Sequence, residues 1–394
     1  MFNFTTIKAN FNQYLQIRHD LHQHPEASLH EDWTVAYLKK CLAKYDLEIR
    51  DVPASKSFIA ILDTGRPGLT LGLRTDMDAL PIQEAQKNLV QAKKVHSQVA
   101  NLMHACGHDA HMAILMGTID QINGCRDQLC GRFIFIFESG EEVAGSVGQV
   151  VDFLADYQLD YIYGNHVYNE LEVGKLALDA GPVMAGGSSF GLVFHGKPGH
   201  GSRPDLAINP LFCGIDFLNS LAVAWANQLP VDQIATLGIT QFHAGSANNV
   251  FPDQAYIGGS IRFFDKEVGQ AAFALVDKLA QHAAAMHQCQ YEKTGDGAWS
   301  NPVINDANLA NQVGQKLEAI KPGLIQQDVV WYASESFADY QALAPTLFTF
   351  VGIKNDGLGS GAAHHTPEFD LDDEALVYGI AGMLAFASLN WLKD

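Results

Sequence analysis

AHMAILMGTIDQINGCRDQLCGRFIFIFESGEE, residues 110–142, is the stretch on which the fold turns. Apolar residues recur at helical spacing from Ala110 to Ile122, and an unbroken apolar run follows at Phe133–Phe137. The first segment reads as a helix and the second as a strand. Acids come straight after the strand: Glu138, then the pair Glu141–Glu142. The space beyond a strand's carboxyl end is where α/β proteins collect functional groups.

Working outward, the same alternation continues on both sides. Short β-rich runs occur at Phe58–Leu62, Leu69–Leu73 and Tyr161–Tyr163, and Val147–Leu154 reads as a further helix. The opening stretch is helical in pattern to about Leu47. This predicts an α/β layer with a largely parallel sheet flanked by helices. The pattern changes near Gly186. Ser188–Phe194, Ala235–Phe242 and Ala255–Phe263 read as strands, while Ile208–Ala226 and Val268–His287 read as helices. From Asn301 the α/β character returns, with a strand at Leu347–Val351 and a final helix over Asp373–Leu392. The expectation is a discontinuous first domain, residues 1–185 and 298–394, interrupted by an inserted α+β domain at 186–297.

Bulk composition narrows the function classes. The chain has 394 residues, 47% hydrophobic and 18% charged, which supplies a substantial core and suits two domains. Its formal net charge of −19 repels a phosphate backbone, so no nucleic-acid partner is expected. The start has no basic stretch leading into an apolar core, and no run of apolar residues is long enough to span a bilayer. Cys41, Cys106, Cys125, Cys130, Cys213 and Cys289 show no disulfide rhythm. A cytoplasmic protein without membrane contact is expected.

Five polar clusters carry candidate chemistry. In His104-Ala105-Cys106-Gly107-His108-Asp109-Ala110-His111, a thiol and an imidazole two residues apart enter a helix, and Gly107 lets the backbone approach closely. Such histidines either ligate a metal or make surface and core hydrogen bonds. Glu141–Glu142 offers one carboxylate for a metal and one for a proton, or a solvated acidic turn. His166 follows a short strand, and His364–His365 precede a Thr-Pro turn. In Arg74-Thr75-Asp76-Met77-Asp78, the aspartates can cap a helix or orient a metal-bound histidine. Together these clusters supply one thiolate, several imidazoles and several carboxylates, enough for two metals. The sulfur and nitrogen donors favour zinc or a neighbouring transition metal over magnesium or calcium.

In order and content the motifs resemble the M20 metallopeptidase superfamily, in its amidohydrolase branch of aminoacylases, hippurate hydrolases and auxin-conjugate hydrolases. The matching pieces are RHDLHQHPE (18–26), RTDMDALP (74–81), HACGHDAHMA (104–113), Glu141–Glu142, GNHV (164–167), GKPGH (196–200), NNVFPD (248–253), ESFADY (335–340) and HTPEFDLD (365–372). The resemblance spans nearly the whole chain. It implies Cys106, His108, Glu142, His166 and His365 as ligands of two divalent transition-metal ions per subunit, zinc first and manganese, cobalt or nickel after it. It implies Glu141 as general base and Asp78 as the acid that orients the site. The insert would be a two-helix, four-stranded antiparallel lid and dimerisation domain. On it, His200 would reach a substrate, often one held by the other subunit of a homodimer, and Asn249 and Arg262 would help hold it. The implied reaction is hydrolysis of the amide bond of a small N-acylated amino acid, N-acetyl-diaminopimelate being one candidate. A dipeptidase or carboxypeptidase on the same scaffold, or a non-catalytic metal-binding homologue, is the alternative. Cys106 as a thiol nucleophile is a further reading of the cysteine alone. Two departures, Glu138-Ser139-Gly140 before the glutamate pair and GHGSRP at 199–204, bear on the substrate pocket and leave the ligand set intact.

Overall fold

The computed structural model describes residues 4–297 and 299–392. Residue 298, on which one expected domain boundary falls, lies outside them, as do residues 1–3 and 393–394. The chain divides into two units: Met1–Val183 with Ile304–Val329 and Asp339–Asp394, and Met184–Val303 with Val330–Ala338. The division thus assigns residues 330–338 to the second unit, where the sequence reading had placed them with the first.

The first unit is built on the strands β1 (Glu48–Asp51), β2 (Phe58–Asp63), β3 (Thr70–Asp76), β4 (Arg132–Glu138), β5 (Tyr161–Glu172), β6 (Leu176–Ala177) and β11 (Thr346–Lys354). They form one seven-stranded sheet in the order β1-β2-β4-β3-β5-β11-β6. The central pairings β4-β3, β3-β5 and β5-β11 are parallel, and the outer ones are antiparallel. Crossover connections are what parallel neighbours require, and helices supply them. α1 (Phe4–Ala9), α2 (Phe11–Gln23), α3 (Asp32–Leu42), α4 (His108–Gly124), α5 (Val147–Leu154), α8 (Ala307–Ile320) and α9 (Ala375–Ala387) belong to this unit. Pro25 lies between α2 and α3, so the opening helical pattern is broken rather than continuous.

α4 and α9 form the centre of the helical layer. Both are buried on nearly every side, as helices with apolar residues all round must be. Glycines permit their close approach. A Cβ on Gly117 would lie 2.4 Å from Ile380 Cδ1, and one on Gly379 would lie 2.4 Å from Ile114 Cδ1. The expected final helix stops at Ala387 instead of reaching Leu392. A tighter 3-10 turn over Ser388–Asn390 follows, and the Asn390 side chain ties it to Leu69, its Oδ1 accepting from Leu69 N–H and its Nδ2 donating to Leu69 O.

The second unit holds β7 (Gly186–His195), β8 (Ala235–Ala244), β9 (Gln254–Phe263) and β10 (Gln290–Asp296), an antiparallel sheet in the order β8-β9-β7-β10. α6 (Pro210–Gln228) and α7 (Lys266–Met286) pack on it around Phe190, Phe194, Phe217, Ile257 and Phe263. Asn209 caps α6 by accepting from Leu211 N–H, and Asp265 caps α7 by accepting from Val268 N–H. β10 (QYEKTGD) has no apolar alternation to announce it, and it forms an edge of the sheet.

Candidate metal centre

Strand register gathers the polar clusters in the first unit. Asp76 at the end of β3 lies opposite Glu138 at the end of β4, and His166 on β5 lies opposite Phe350 on β11. Leu73 pairs with Tyr163, so three residues further along both strands His166 comes level with Asp76, the last residue of β3. Helix α4 presents its N-terminus here. Gly107, at φ +91°, makes the turn into it, and a Cβ there would lie 2.4 Å from Val167 Cγ2. Only glycine satisfies both the left-handed backbone and the close contact. After β4, Gly140 and Ala144 also take left-handed conformations, at φ +69° and +48°, and bracket the turn bearing Glu141 and Glu142.

The donors converge. Cys106 Sγ lies 3.3 Å from His166 Nε2 and 3.2 Å from His365 Nε2. His365 Nε2 is 3.4 Å from Glu142 Oε1, and His108 Nε2 is 3.8 Å from the same oxygen. Three sets each offer ligand atoms within 4.8 Å of one another: Cys106 with His108 and His166, Cys106 with Glu142 and His365, and His108 with both Glu141 and Glu142. A fourth set of this spacing is Asp76, His108 and His111. These sets share the thiol and an imidazole, so the arrangement has the donors to hold two adjoining cations. His365 stands at φ +61°, a conformation rare outside glycine, and its N–H donates to Ala105 O at 3.0 Å.

Electrostatics agrees with a site built for cations. Asp78 Oδ1 sits 3.1 Å from His108 Nδ1, and its Oδ2 accepts from Ser28 Oγ and from Glu142 N–H. Burial acts to lower the His108 pKa, but Asp76 and Asp78 outweigh it and hold the ring well above its ordinary value. Burial, reinforced by Glu142, pushes the Cys106 thiol well up. Burial and the neighbouring His111 push His166 well down, which leaves that ring neutral. Burial would raise Asp76, yet the basic side chains around it, Arg74 among them, keep it well below the usual carboxylate range. His108 Nε2 and Glu142 Oε1 are buried without a hydrogen-bond partner among the described residues. Buried polar atoms left so are costly, and a metal ion would satisfy both at once. The donor set of sulfur, imidazole and carboxylate fits divalent transition metals.

Behind this cluster lies a second buried network. Arg18 bridges Asp109 and Asp373, at 2.9 and 2.7 Å. His22 contacts Asp109 and Glu84, and Lys93 Nζ donates to Glu84 and to Pro367 O, two residues beyond His365. Glu84 and Lys93 carried no signal in the sequence, because nothing local marks which acid and which base meet inside a fold. Arg74, Glu138 and Tyr340 form another buried group: Arg74 Nε and Tyr340 OH both donate to Glu138 Oε2.

The remaining expected residues lie in the second unit. His200 pairs with Val250 in a short antiparallel ladder, its Nδ1 accepts from Ser202 N–H and lies 2.7 Å from Ser202 Oγ, and it is exposed. Asn249 precedes Val250 and its carbonyl accepts from Gly201 N–H. Arg262 lies on β9 opposite Gly187. The structure brings His200 and Asn249 together and leaves Arg262 on the sheet.

Residues 72–388 match the model of Peptidase family M20/M25/M40. The chain is 34% identical to N-acetylcysteine deacetylase of Bacillus subtilis over 370 residues, 94% of each chain. It is 30% identical to Thermostable carboxypeptidase 2 of Saccharolobus solfataricus, over 93% of this chain and 92% of that one. Among solved structures, a Bacillus subtilis protein described as a dinuclear metal binding peptidase from the M20 family superposes with a TM-score of 0.83 at 31% identity, covering 96% of this chain and 98% of its own. With the motif order, the sheet and the convergent donors, these likenesses settle the family: the chain belongs to peptidase family M20/M25/M40.

Proposed function

We propose that this protein is a hydrolase of linear amide bonds, releasing a carboxylate and a free amino acid from a small N-acyl amino acid such as an N-acetyl one. The observation that carries the proposal is the meeting of buried Cys106, His108 and His166 with half-buried Glu142 and exposed His365, Glu141 standing beside them. Two divalent cations held by those five ligands, zinc by the softness of the donors, would polarise the scissile carbonyl and lower the pKa of a water. Glu141 takes the proton of the attacking water and returns it to the leaving amine. Asp78 fixes the His108 ring through Nδ1. His200 stabilises the developing oxyanion, and Asn249 and Arg262 hold the substrate. Relatives named for deacetylation of N-acetylcysteine and for amidohydrolysis of N-acyl-L-amino acids support the substrate class.

The proposal includes a cytoplasmic homodimer formed through the second unit. β8 is a sheet edge, and an edge presents unpaired backbone groups that a symmetry mate can satisfy. Phe242 on β8 and Phe212 on α6 expose large apolar surface, Phe212 at 60%. Among the described residues no helix is long and apolar enough to cross a membrane.

The test is a panel of N-acetyl amino acids, hippurate, dipeptides and carboxypeptidase substrates, assayed on zinc-, manganese- and cobalt-loaded protein with the Glu141→Gln variant beside it. Turnover of N-acyl amino acids above the peptides is expected, with the variant keeping its metal and losing at least about a hundredfold in rate. Selective cleavage of peptides would transfer the protein to the carboxypeptidase reading. Metal binding with no turnover of any member would leave a binding protein.

A further inference from the structure

His111 is one of three residues, with Asp76 and His108, whose donor atoms stand close enough to hold a cation. Its hydrogen bonds argue against that use. His111 Nε2 accepts the backbone N–H of Val167 at 2.9 Å. An amide N–H can only donate, so the Nε2 lone pair is taken and the ring proton sits on Nδ1. That Nδ1–H donates to Asp76 Oδ1 at 2.7 Å. Both ring nitrogens are committed before any metal arrives.

The chain of bonds continues in both directions. On one side, Val167 O accepts from His166 Nδ1–H at 2.7 Å. A carbonyl can only accept, so His166 carries its proton on Nδ1 and turns the Nε2 lone pair toward Cys106 Sγ, 3.3 Å away. On the other side, Asp76 Oδ2 accepts from Arg74 Nη1 at 2.9 Å, and Arg74 Nε donates to Glu138 Oε2 at 2.9 Å. Glu138 is the last residue of β4 before the turn that carries Glu141 and Glu142. His111, Asp76, Arg74, Glu138 and His166 are all buried. One relay therefore joins the ends of β3 and β4 and the middle of β5 to the first turn of α4.

We infer that His111 is a positioning residue and not a metal ligand: with Asp76 and Arg74 it anchors the backbone of Val167 through its N–H, and the carbonyl of the same residue, one peptide unit on, fixes the ring orientation and tautomer of His166. The inference rests on the metal-centre reading above. It separates His108 from His111 by role: His108 has a buried Nε2 without a hydrogen bond, whereas both nitrogens of His111 are taken.

The experiment uses full-length protein with 15N-labelled histidine. Long-range proton–nitrogen spectra are recorded without metal and during zinc addition, with His111 assigned by its loss in His111→Gln. A neutral His111, protonated on Nδ1 and unmoved by zinc, is expected, while ring nitrogens of His108 and His166 shift. A zinc-induced shift of a His111 nitrogen to the metal-bound range, or a proton on its Nε2, overturns the inference. If zinc moves neither His108 nor His166, the metal reading fails, and the tautomer seen without metal still decides the relay. Zinc titration of two variants completes the test. Glutamine can accept from Val167 N–H and donate to Asp76, so His111→Gln keeps two zinc ions with affinity near that of the parent. His111→Leu strands both partners and weakens zinc binding about 10–100-fold. Loss of one zinc ion in both variants would mark His111 as a ligand, and unchanged affinity in both would remove the positioning role. Should His111→Leu fail to fold, the spectra and His111→Gln decide the question.

Discussion

Cys106 is the residue on which the two proposed cation positions would meet, since it belongs to the set with His108 and His166 and to the set with Glu142 and His365. Its burial and the nearby Glu142 hold the thiol protonated in the absence of positive charge. A serine hydroxyl there keeps nearly the same volume but is a poor soft donor. Cys106→Ser is therefore expected to lose at least one of two metal ions per subunit, read by elemental analysis after dialysis, and to lose most of its amidase activity. Full metal content together with parental activity would reduce Cys106 to a buried thiol.

At the scale of elements, the contact between α4 and α9 bears on how firmly the turn of the proposed ligand His108 is held, because His108 opens α4. Gly117 faces Ile380 and Tyr14 in that contact. In an exposed helix a glycine-to-alanine change would gain about 1 kcal/mol from propensity. Here the added Cβ would lie 2.4 Å from Ile380 Cδ1, so something must shift. Overpacking of this kind costs about 1–3 kcal/mol, which exceeds the propensity gain over most of its range. Gly117→Ala should lower the midpoint of urea unfolding, and adding Ile380→Val, which removes the colliding methyl, should restore much of the loss. A stabilised single variant would show that α9 yields freely and that the helices are not held at this point.

At the scale of the whole molecule, the proposed homodimer predicts shared sites. Inactive His200→Ala and inactive Glu141→Gln proteins are mixed and allowed to exchange subunits, with exchange confirmed by mass. Partial recovery, up to about one quarter of parental activity if exchange is random, is expected when His200 of the partner subunit completes each site. No recovery after confirmed exchange confines His200 to its own chain or removes it from the reaction. A fully active monomer in solution would remove the dimer itself.

The sequence by itself determined the α/β class, the insertion near Gly186 and the polar clusters behind Phe133–Phe137, Leu69–Leu73 and Tyr161–Tyr163. These are legible because apolar periodicity is local, and because parallel strands place their carboxyl ends on one edge whatever else the chain does. The family resemblance implied five ligand positions and a base, which stand as proposals. Only the tertiary structure separates His108 from His111. His108 and His111 sit one helical turn apart and look alike in sequence, but Val167 N–H and Asp76 occupy both nitrogens of one, while the other keeps a buried Nε2. The same holds for Glu84 and Lys93, whose meeting with His22 and Pro367 spans up to 274 positions of chain. β1 and β10 escaped notice because polar strands at a sheet edge carry no alternation. Hydrogen-bond partners are assigned by distance in space, and a side chain's chemistry in a site is what those partners leave unspent.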